Sequence, residues 1–260
     1  MAKTLATHNR SPRGFTLVEL LVVIGIIALL AALVTPAVMQ AQVAARNAAI
    51  KAEIDMLHMA IMNYKNEHGS FPPCDGFAIS PTSASTKHLQ RLFPRCASWT
   101  AQLTSILSGK SPEYVCPTNA LTFWLSGFTN DPTAPLFNLP RQKLYDFDAS
   151  RVNSSTGAYS PAGKSGSPYI YIDRSAYASF AYLTTSLTQV RAQRVPMTPP
   201  ATNTAADFAT ASAADTNPPF ANPESFQILS AGRDEVFGND DDLSNFWPKT
   251  RKDYLNSLNQ

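Results

Sequence analysis

From Phe15 to Thr35 the chain is almost unbroken apolar sequence, 21 residues with one charge, Glu19, and no proline. As a helix rising ~1.5 Å per residue this run measures roughly 31 Å, close to the hydrocarbon core of a bilayer. It also exceeds the apolar stretch of a cleaved secretory signal. Pro36 closes the run; it lacks an N–H and clashes with the preceding turn, so it is expected to kink or locally melt a helix there. Beyond it the pattern changes to a helical stripe. Ile54, Leu57, Ile61 and Tyr64 recur at i, i+3, i+7 and i+10, the spacing of one buried face. Lys51, Glu53, Asp55, Asn63 and Lys65 fall mostly on the other faces. Gly69 then stops the helix, with Pro72 and Pro73 behind it. The pattern predicts one helix from Phe15 to His68, about 80 Å long at ~1.5 Å per residue.

The middle of the chain, from residue 74 to about 168, shows no clear periodicity. "LTSILSG" and "LTFWLSGF" read as short helical pieces, and "SPYIYID", Ser167 to Asp173, as a strand rich in aromatic and β-branched residues. "SRVNSSTGAYSPAGKSGSP" reads as a Ser/Gly loop. Its "GKS" is no phosphate loop: Gly157 and Gly163 are separated by five residues rather than four, one of them Pro161, and no apolar strand leads in. "PMTPPATNTAADFATASAADTNPPFANPES" has little to bury and reads as a mobile surface loop. Near the C-terminus Phe226, Ile228 and Leu229 predict a strand running into a glycine-rich acidic turn.

Charge narrows the partners. The net charge of +2 depends on Lys3, Arg10 and Arg13 ahead of the apolar run; without them the remainder carries −1. No basic cluster resembles a nucleic-acid footprint, and no nucleic acid is expected as a partner. Those three cations instead favour a cytoplasmic N-terminus, with everything after the apolar helix exported. Cys74, Cys96 and Cys116 are too few for a disulfide scaffold and lack zinc spacing. Two joined with one free, and three inert buried thiols, are equally compatible with the sequence. His58 with Met56 and Met59 reads as helix surface and core rather than a metal site.

Glu19 is the anomaly. An ionisable group deep in a membrane helix costs about 2.5–3.5 kcal/mol, less near the interface, and is normally partnered. No basic residue lies within a helical turn of it in the apolar run, so a partner is expected from another chain or from processing. Gly14 followed by Phe15-Thr16-Leu17-Val18-Glu19 resembles the class III leader of type IV pilins and type II secretion pseudopilins, and "YKNEHGSFPP", Tyr64 to Pro73, resembles their helix-to-loop junction. The likeness spans residues 11 to 73. It implies that a prepilin peptidase cuts after Gly14 and methylates Phe15. It also implies that Glu19 recruits the subunit and pairs with a neighbour's terminal amine, and that the helix near Pro36 loosens on assembly.

The acidic turn lies in "SFQILSAGRDEVFGNDDDLSNFW", Ser225 to Trp247. Five of the chain's nineteen acidic residues fall between Asp234 and Asp242. Such crowding is relieved by solvent or by a hard cation, and calcium takes six to eight oxygens from carboxylates and carbonyls. Gly232 and Gly238 allow the backbone to bend around one centre. The segment is not an EF-hand, since it lacks the alternating ligands and terminal glutamate. It resembles the calcium loop of the type II secretion major pseudopilin. Carried over by position, the ligands are Asp234, Asp241 and Asp242, with Asp240 as a further candidate and carbonyls near Leu229 and Asn239. Glu235 departs from that pattern, where the family usually has glycine.

These readings converge on an α+β, pilin-like chain: a long N-terminal helix, membrane-spanning in its first half, packed on a small antiparallel sheet with a loop-rich insertion. Its expected organisation is a leader (1–14), a transmembrane and assembly helix (15–36), an amphipathic continuation and junction (37–73), a globular region with the insertion (74–224), and a C-terminal strand with the acidic loop (225–260). The expected role is structural: a calcium-binding pseudopilin of a type II secretion pseudopilus. It would rest in lipid, single-pass in a bacterial inner membrane, before assembly. Its partners would be copies of itself, prepilin peptidase, minor pseudopilins and an inner-membrane assembly platform. The alternative is a type IV pilin of a surface filament serving adhesion, motility or DNA uptake. An exported enzyme has little support. Only His88 of the four histidines lies on the globular part outside the long helix, with no nucleophile elbow or ligand cluster beside it.

Overall fold

The computed structural model describes residues 15–74, 79–96, 98–110, 115–137, 140–163, 167–177, 182–184, 187–190 and 220–258. Gly14 and the leader, Lys164 and Ser165 of the "GKS" loop, and most of the Pro/Ala/Thr/Asn stretch lie outside the described residues. Two compact units emerge, residues 1–45 and 46–260.

Helix α1, Leu17–His68, is a single helix of 52 residues with Pro36 inside it. The local melting expected at Pro36 is absent: helix continues on both sides of it, and the neighbouring Thr35 hydroxyl donates to the Ala31 carbonyl at 2.7 Å. In the first unit every side chain from Phe15 to Gln42 is exposed, and this part of α1 is long and apolar enough to cross a membrane. In the second unit the predicted stripe is the buried face. Ile54, Leu57, Ile61 and Tyr64 have no exposed surface, and Ile50 and Ala60 join them. Gly69 ends the helix with φ 77°, its N–H reaching the Lys65 carbonyl at 2.7 Å, a left-handed cap that a side chain would strain.

The core around that stripe is built from short pieces. Helices α2 (Ala84–Leu92), α3 (Trp99–Leu107) and α4 (Ala120–Leu125) occupy the stretch that lacked periodicity. Each is too short to show a repeat, and α2 is fixed by its cap, the Ser83 hydroxyl accepting the Thr86 N–H. Trp124 of α4, fully buried, donates its indole N–H to the Pro73 carbonyl at 2.8 Å. Strand β1 (Ile170–Asp173) lies within the predicted "SPYIYID" strand. Strands β2 (Tyr182–Thr184) and β3 (Leu187–Val190) form a separate antiparallel pair.

Strand β4 (Phe226–Ser230) is the central member of a three-stranded antiparallel sheet, in the order β1-β4-β5, with β5 at Leu243–Ser244. Its register sets Ile170 opposite Leu229 and Leu229 opposite Ser244. All residues of β1 and β4 are buried, so the two faces show no alternation. The second half of α1 packs on this sheet: the His58 ring lies tilted against Phe226 with centroids 4.9 Å apart, and Lys51 donates to the Ser244 carbonyl at 3.0 Å. A C-terminal helix, α5 (Arg251–Leu258), follows. The architecture is α+β and consistent with a pilin-like fold.

One polar assignment is corrected. Glu53 does not face solvent but is buried, 9% exposed. Its Oε1 accepts the Tyr159 hydroxyl at 2.8 Å, and its Oε2 accepts Tyr169 and Arg151, each at 2.5 Å. These partners arrive from about a hundred residues later, so nothing near Glu53 in the sequence marks it as buried. Burial works to raise its carboxyl pKa, but hydrogen bonds from Arg151, Tyr169 and Tyr159 outweigh this and hold it below the usual range.

Candidate functional site

At the start of α1, Thr16 is the cap residue and Glu19 the third residue of the helix. The Glu19 N–H reaches the Thr16 hydroxyl at 3.2 Å, while Glu19 Oε2 accepts both the Thr16 N–H and its hydroxyl at 2.8 Å. This is a capping box, which satisfies two of the backbone N–H groups that a helix start leaves open. Glu19 therefore has a partner within its own chain, contrary to the expectation that only processing or another chain could supply one. The signal was present as threonine three residues ahead of glutamate before an apolar run. Phe15, 79% exposed, stands just outside the helix, which begins two residues later than expected.

The second candidate lies between β4 and β5. Gly232 adopts φ 59°, and a Cβ there would sit 2.2 Å from the Asp241 carbonyl oxygen. Only glycine fits this close approach. The turn closes on its own aspartates. Asp241 Oδ2 accepts the N–H groups of Arg233 (2.6 Å) and Asp234 (3.2 Å). Asp234 in turn accepts the Val236 N–H (2.8 Å) and the Asn239 amide (2.5 Å). Glu235 adopts φ 63°, so this position demands the left-handed conformation in which glycine is at ease.

Asp242 is the buried member, 3% exposed. Its Oδ2 accepts the Gly238 N–H at 2.7 Å, while Oδ1 is buried without a hydrogen-bond partner. Burial pushes this carboxyl up to about 7 against the Gly238 N–H and the Arg251 guanidinium, and Asp241 and Asp234 add to the push. Helix α5 is tied to the same turn: Arg251 and Lys252 donate their N–H groups to the carbonyls of Asp242 (2.8 Å) and Asp240 (2.9 Å). The Asp240 side chain is exposed, 3.9 Å from Lys252 Nζ.

Of the six expected ligands, the structure brings Asp234, Asn239, Asp241 and Asp242 together in one turn. Asp240 turns towards α5, and Leu229 sits in the ladder of β4. Among the described residues no group of three or more His, Cys, Asp or Glu side chains is arranged to hold a metal ion. Cys74, Cys96 and Cys116 are buried and form no disulfide with one another.

His88, on α2, is buried at 8% exposure, its Nε2 2.8 Å from the Tyr64 hydroxyl and its ring edge-on to Trp124. Burial, helped by Arg91 and His68, lowers its pKa to about 3, so it is a neutral core side chain at ordinary pH.

Residues 9–35 match the model of the prokaryotic N-terminal methylation motif. No curated protein and no solved structure matches the chain significantly. The motif, lying on the capped start of an exposed apolar helix, implies peptidase processing and filament assembly and indicates a prepilin-type, type IV pilin-like protein.

Proposed function

We propose that this chain is a pseudopilin, a structural subunit of a type II secretion pseudopilus. It is held single-pass in a bacterial inner membrane, with its N-terminus cytoplasmic and its folded unit periplasmic. Prepilin peptidase cuts after Gly14 and methylates Phe15. An inner-membrane platform then assembles the subunit, with minor pseudopilins, into a filament that drives protein export.

The observation that carries the subunit reading is the division of α1. Its first half is fully exposed apolar surface headed by the methylation motif, and its second half is locked into a folded core. In the monomer Glu19 rests on Thr16; in a filament it would exchange that partner for the new amine of a neighbour's Phe15. Co-expression with a prepilin peptidase tests this: the expected product begins at methylated Phe15, and one still beginning at Met1 would overturn it.

The acidic turn favours the pseudopilin over a surface pilin. Calcium is proposed as its ligand, with Asp242 as anchor, because a buried carboxylate oxygen without a partner is costly unless a cation or proton meets it. Asp241 Oδ1 also carries no hydrogen bond among the described residues, whereas both oxygens of Asp234 are engaged within the turn. When bound, the ion would supply the positive charge that lets these carboxylates stay ionised together. The Asn239 carbonyl completes the proposed set, since Asp240 turns towards α5 and Leu229 sits in the ladder of β4. Melting of the folded unit with calcium and then chelator is the check, read with magnesium as control.

A further inference from the structure

The acidic turn stands at the end of the folded unit where the chain enters it. Lys51, on the first turns of α1 in this unit, donates to the Ser244 carbonyl, two residues beyond Asp242, at 3.0 Å. Gly163 lies against the Arg46 guanidinium, where an added Cβ would sit 3.5 Å from Nη2. Four residues on, the Ser167 hydroxyl donates to the Glu235 carbonyl at 2.7 Å. The chain carries no charge between Glu19 and Arg46. As helix, Phe15 to Arg46 measures about 46 Å at ~1.5 Å per residue, the thickness of a bilayer with its headgroups. Arg46 is therefore the first cation able to meet the far headgroup layer, and the turn lies beside it.

The turn carries an apolar tip. Val236 is 47% exposed, and its N–H is pinned by Asp234 Oδ1 at 2.8 Å, with half-buried Phe237 packed on the core beside it. Among the described residues after α1, Phe137 is the one other large apolar side chain so exposed. Close to the turn Arg46, Arg233, Lys249 and Lys252 are exposed as well. From Arg233 to Asp253 the sequence holds four cations and six carboxylates, so the ionised, empty turn is net negative and repelled by anionic lipid. One calcium ion cancels that excess, and Arg46 then tips the patch positive. Coordination points the same way. Asp242 Oδ1 is buried without a hydrogen-bond partner, and with Asp241 and the Asn239 carbonyl it falls short of the six to eight oxygens that calcium takes. Positions are left for phosphate oxygens. We infer that the calcium-loaded turn docks on the anionic phospholipid headgroups of the bilayer that anchors the chain, with Val236 reaching into the headgroup layer. This rests on the calcium reading and adds a partner to it: the folded unit of a resting subunit lies against the membrane while calcium holds the turn.

The full chain in lipid nanodiscs tests the contact. The native cysteines are buried, so Val236→Cys can be labelled with a bimane fluorophore and its quenching by headgroup spin-labelled lipid followed. In discs of phosphatidylcholine containing phosphatidylglycerol, calcium should raise quenching at least threefold. Chelator, magnesium or discs of phosphatidylcholine alone should not. The same probe at Gln90→Cys should not respond, because α2 sits at the other end of the buried stripe, where His88 meets Tyr64. A calcium shift in melting temperature without a change in quenching overturns the docking and leaves the calcium reading standing. Neither response overturns the calcium reading and the inference with it. Equal quenching in chelator, in magnesium or without phosphatidylglycerol also overturns the inference, since calcium and anionic lipid are then not coupled. Unlabelled chain gives a second reading, because coupling is reciprocal. The calcium concentration at half the melting shift should fall at least threefold when phosphatidylglycerol is present. Val236→Ser should keep the melting shift and lose that difference; a variant that retains the difference in full counts against the contact.

Discussion

Tyr169, next to strand β1, donates its hydroxyl to Glu53 Oε2 of α1 across 2.5 Å; Tyr169 is fully buried and Glu53 nearly so. Through this bond, with those from Tyr159 and Arg151, three later points of the chain are fastened to the second half of the helix. A carboxylate that accepts three donors inside a core fixes how α1 sits on its unit.

Glu53→Ala is therefore expected to cost about 3 kcal/mol, because it strands the Arg151 guanidinium and two tyrosine hydroxyls. The folded-state pKa of Glu53 is depressed, so its contribution is present above the unfolded carboxyl value of about 4.3 and is lost as pH falls through the folded one. Glu53→Gln should flatten that acid limb while losing less at neutral pH than alanine. Urea denaturation of residues 40–260 at pH 7 and below pH 4 reads both effects.

His88 acts in a different window. Its folded pKa is about 3, against about 6.5 unfolded, so between these values the unfolded chain binds the extra proton. Stability then rises with pH across that range and is flat above it. His88→Gln should keep a hydrogen bond to Tyr64 and remove this dependence. Comparing melting temperatures at pH 7 and pH 4.5, where Glu53 is still largely ionised, separates the two groups. Asp242, whose carboxyl is pushed up to about 7, acts in the opposite sense over the same range, so the assignment is contradicted if His88→Gln keeps the wild-type difference between the two pH values.

Much of this arrangement is written locally. The stripe Ile54, Leu57, Ile61, Tyr64 follows from periodicity, the stop at Gly69 from turn chemistry, and strands β1 and β4 from their aromatic and branched apolar residues, all within a few residues. Two further signals are equally local: Thr16 with Glu19, and Thr250 with Asp253, where the Asp253 N–H reaches the Thr250 hydroxyl and that hydroxyl donates back to the carboxylate. The first is a capping box, and in the second the cap hydroxyl of Thr250 marks the start of α5. The burial of Glu53 was not legible, because its side chain looks like any exposed helix glutamate until residues 151, 159 and 169 fold back upon it. At the acidic turn the sequence pointed to the crowd of carboxylates. Which of them is buried depends on α5 and on the carbonyls it engages.

Asp242→Asn separates the two ways of relieving a buried carboxylate. In chelator the amide removes a charge that burial disfavours, so the variant should melt no lower than wild type at pH 7.5, and higher if the carboxylate is ionised there. In calcium the wild type should gain about 2.7 kcal/mol at a hundredfold excess over Kd, and the variant should not. A calcium shift of equal size in both proteins would show that Asp242 is not the anchor.

The two left-handed positions of the same turn make opposite predictions. Gly232→Ala places a Cβ 2.2 Å from the Asp241 carbonyl oxygen at φ 59°, so the turn must open. The expected loss is about 2 kcal/mol or more, counting steric conflict as well as backbone strain. Glu235→Gly relieves an L-residue held at φ 63°, worth about 1–2 kcal/mol. The greater freedom of glycine in the unfolded chain offsets about 0.5–1 kcal/mol of that gain. The Glu235 backbone carbonyl, which accepts the Ser167 hydroxyl at 2.7 Å, survives the substitution. Glu235→Gly should thus leave the melting temperature unchanged or raise it by a few degrees, while Gly232→Ala lowers it clearly. Thermal melting of the two variants side by side measures the difference, and equal losses in both would mean that the turn does not hold these backbone angles.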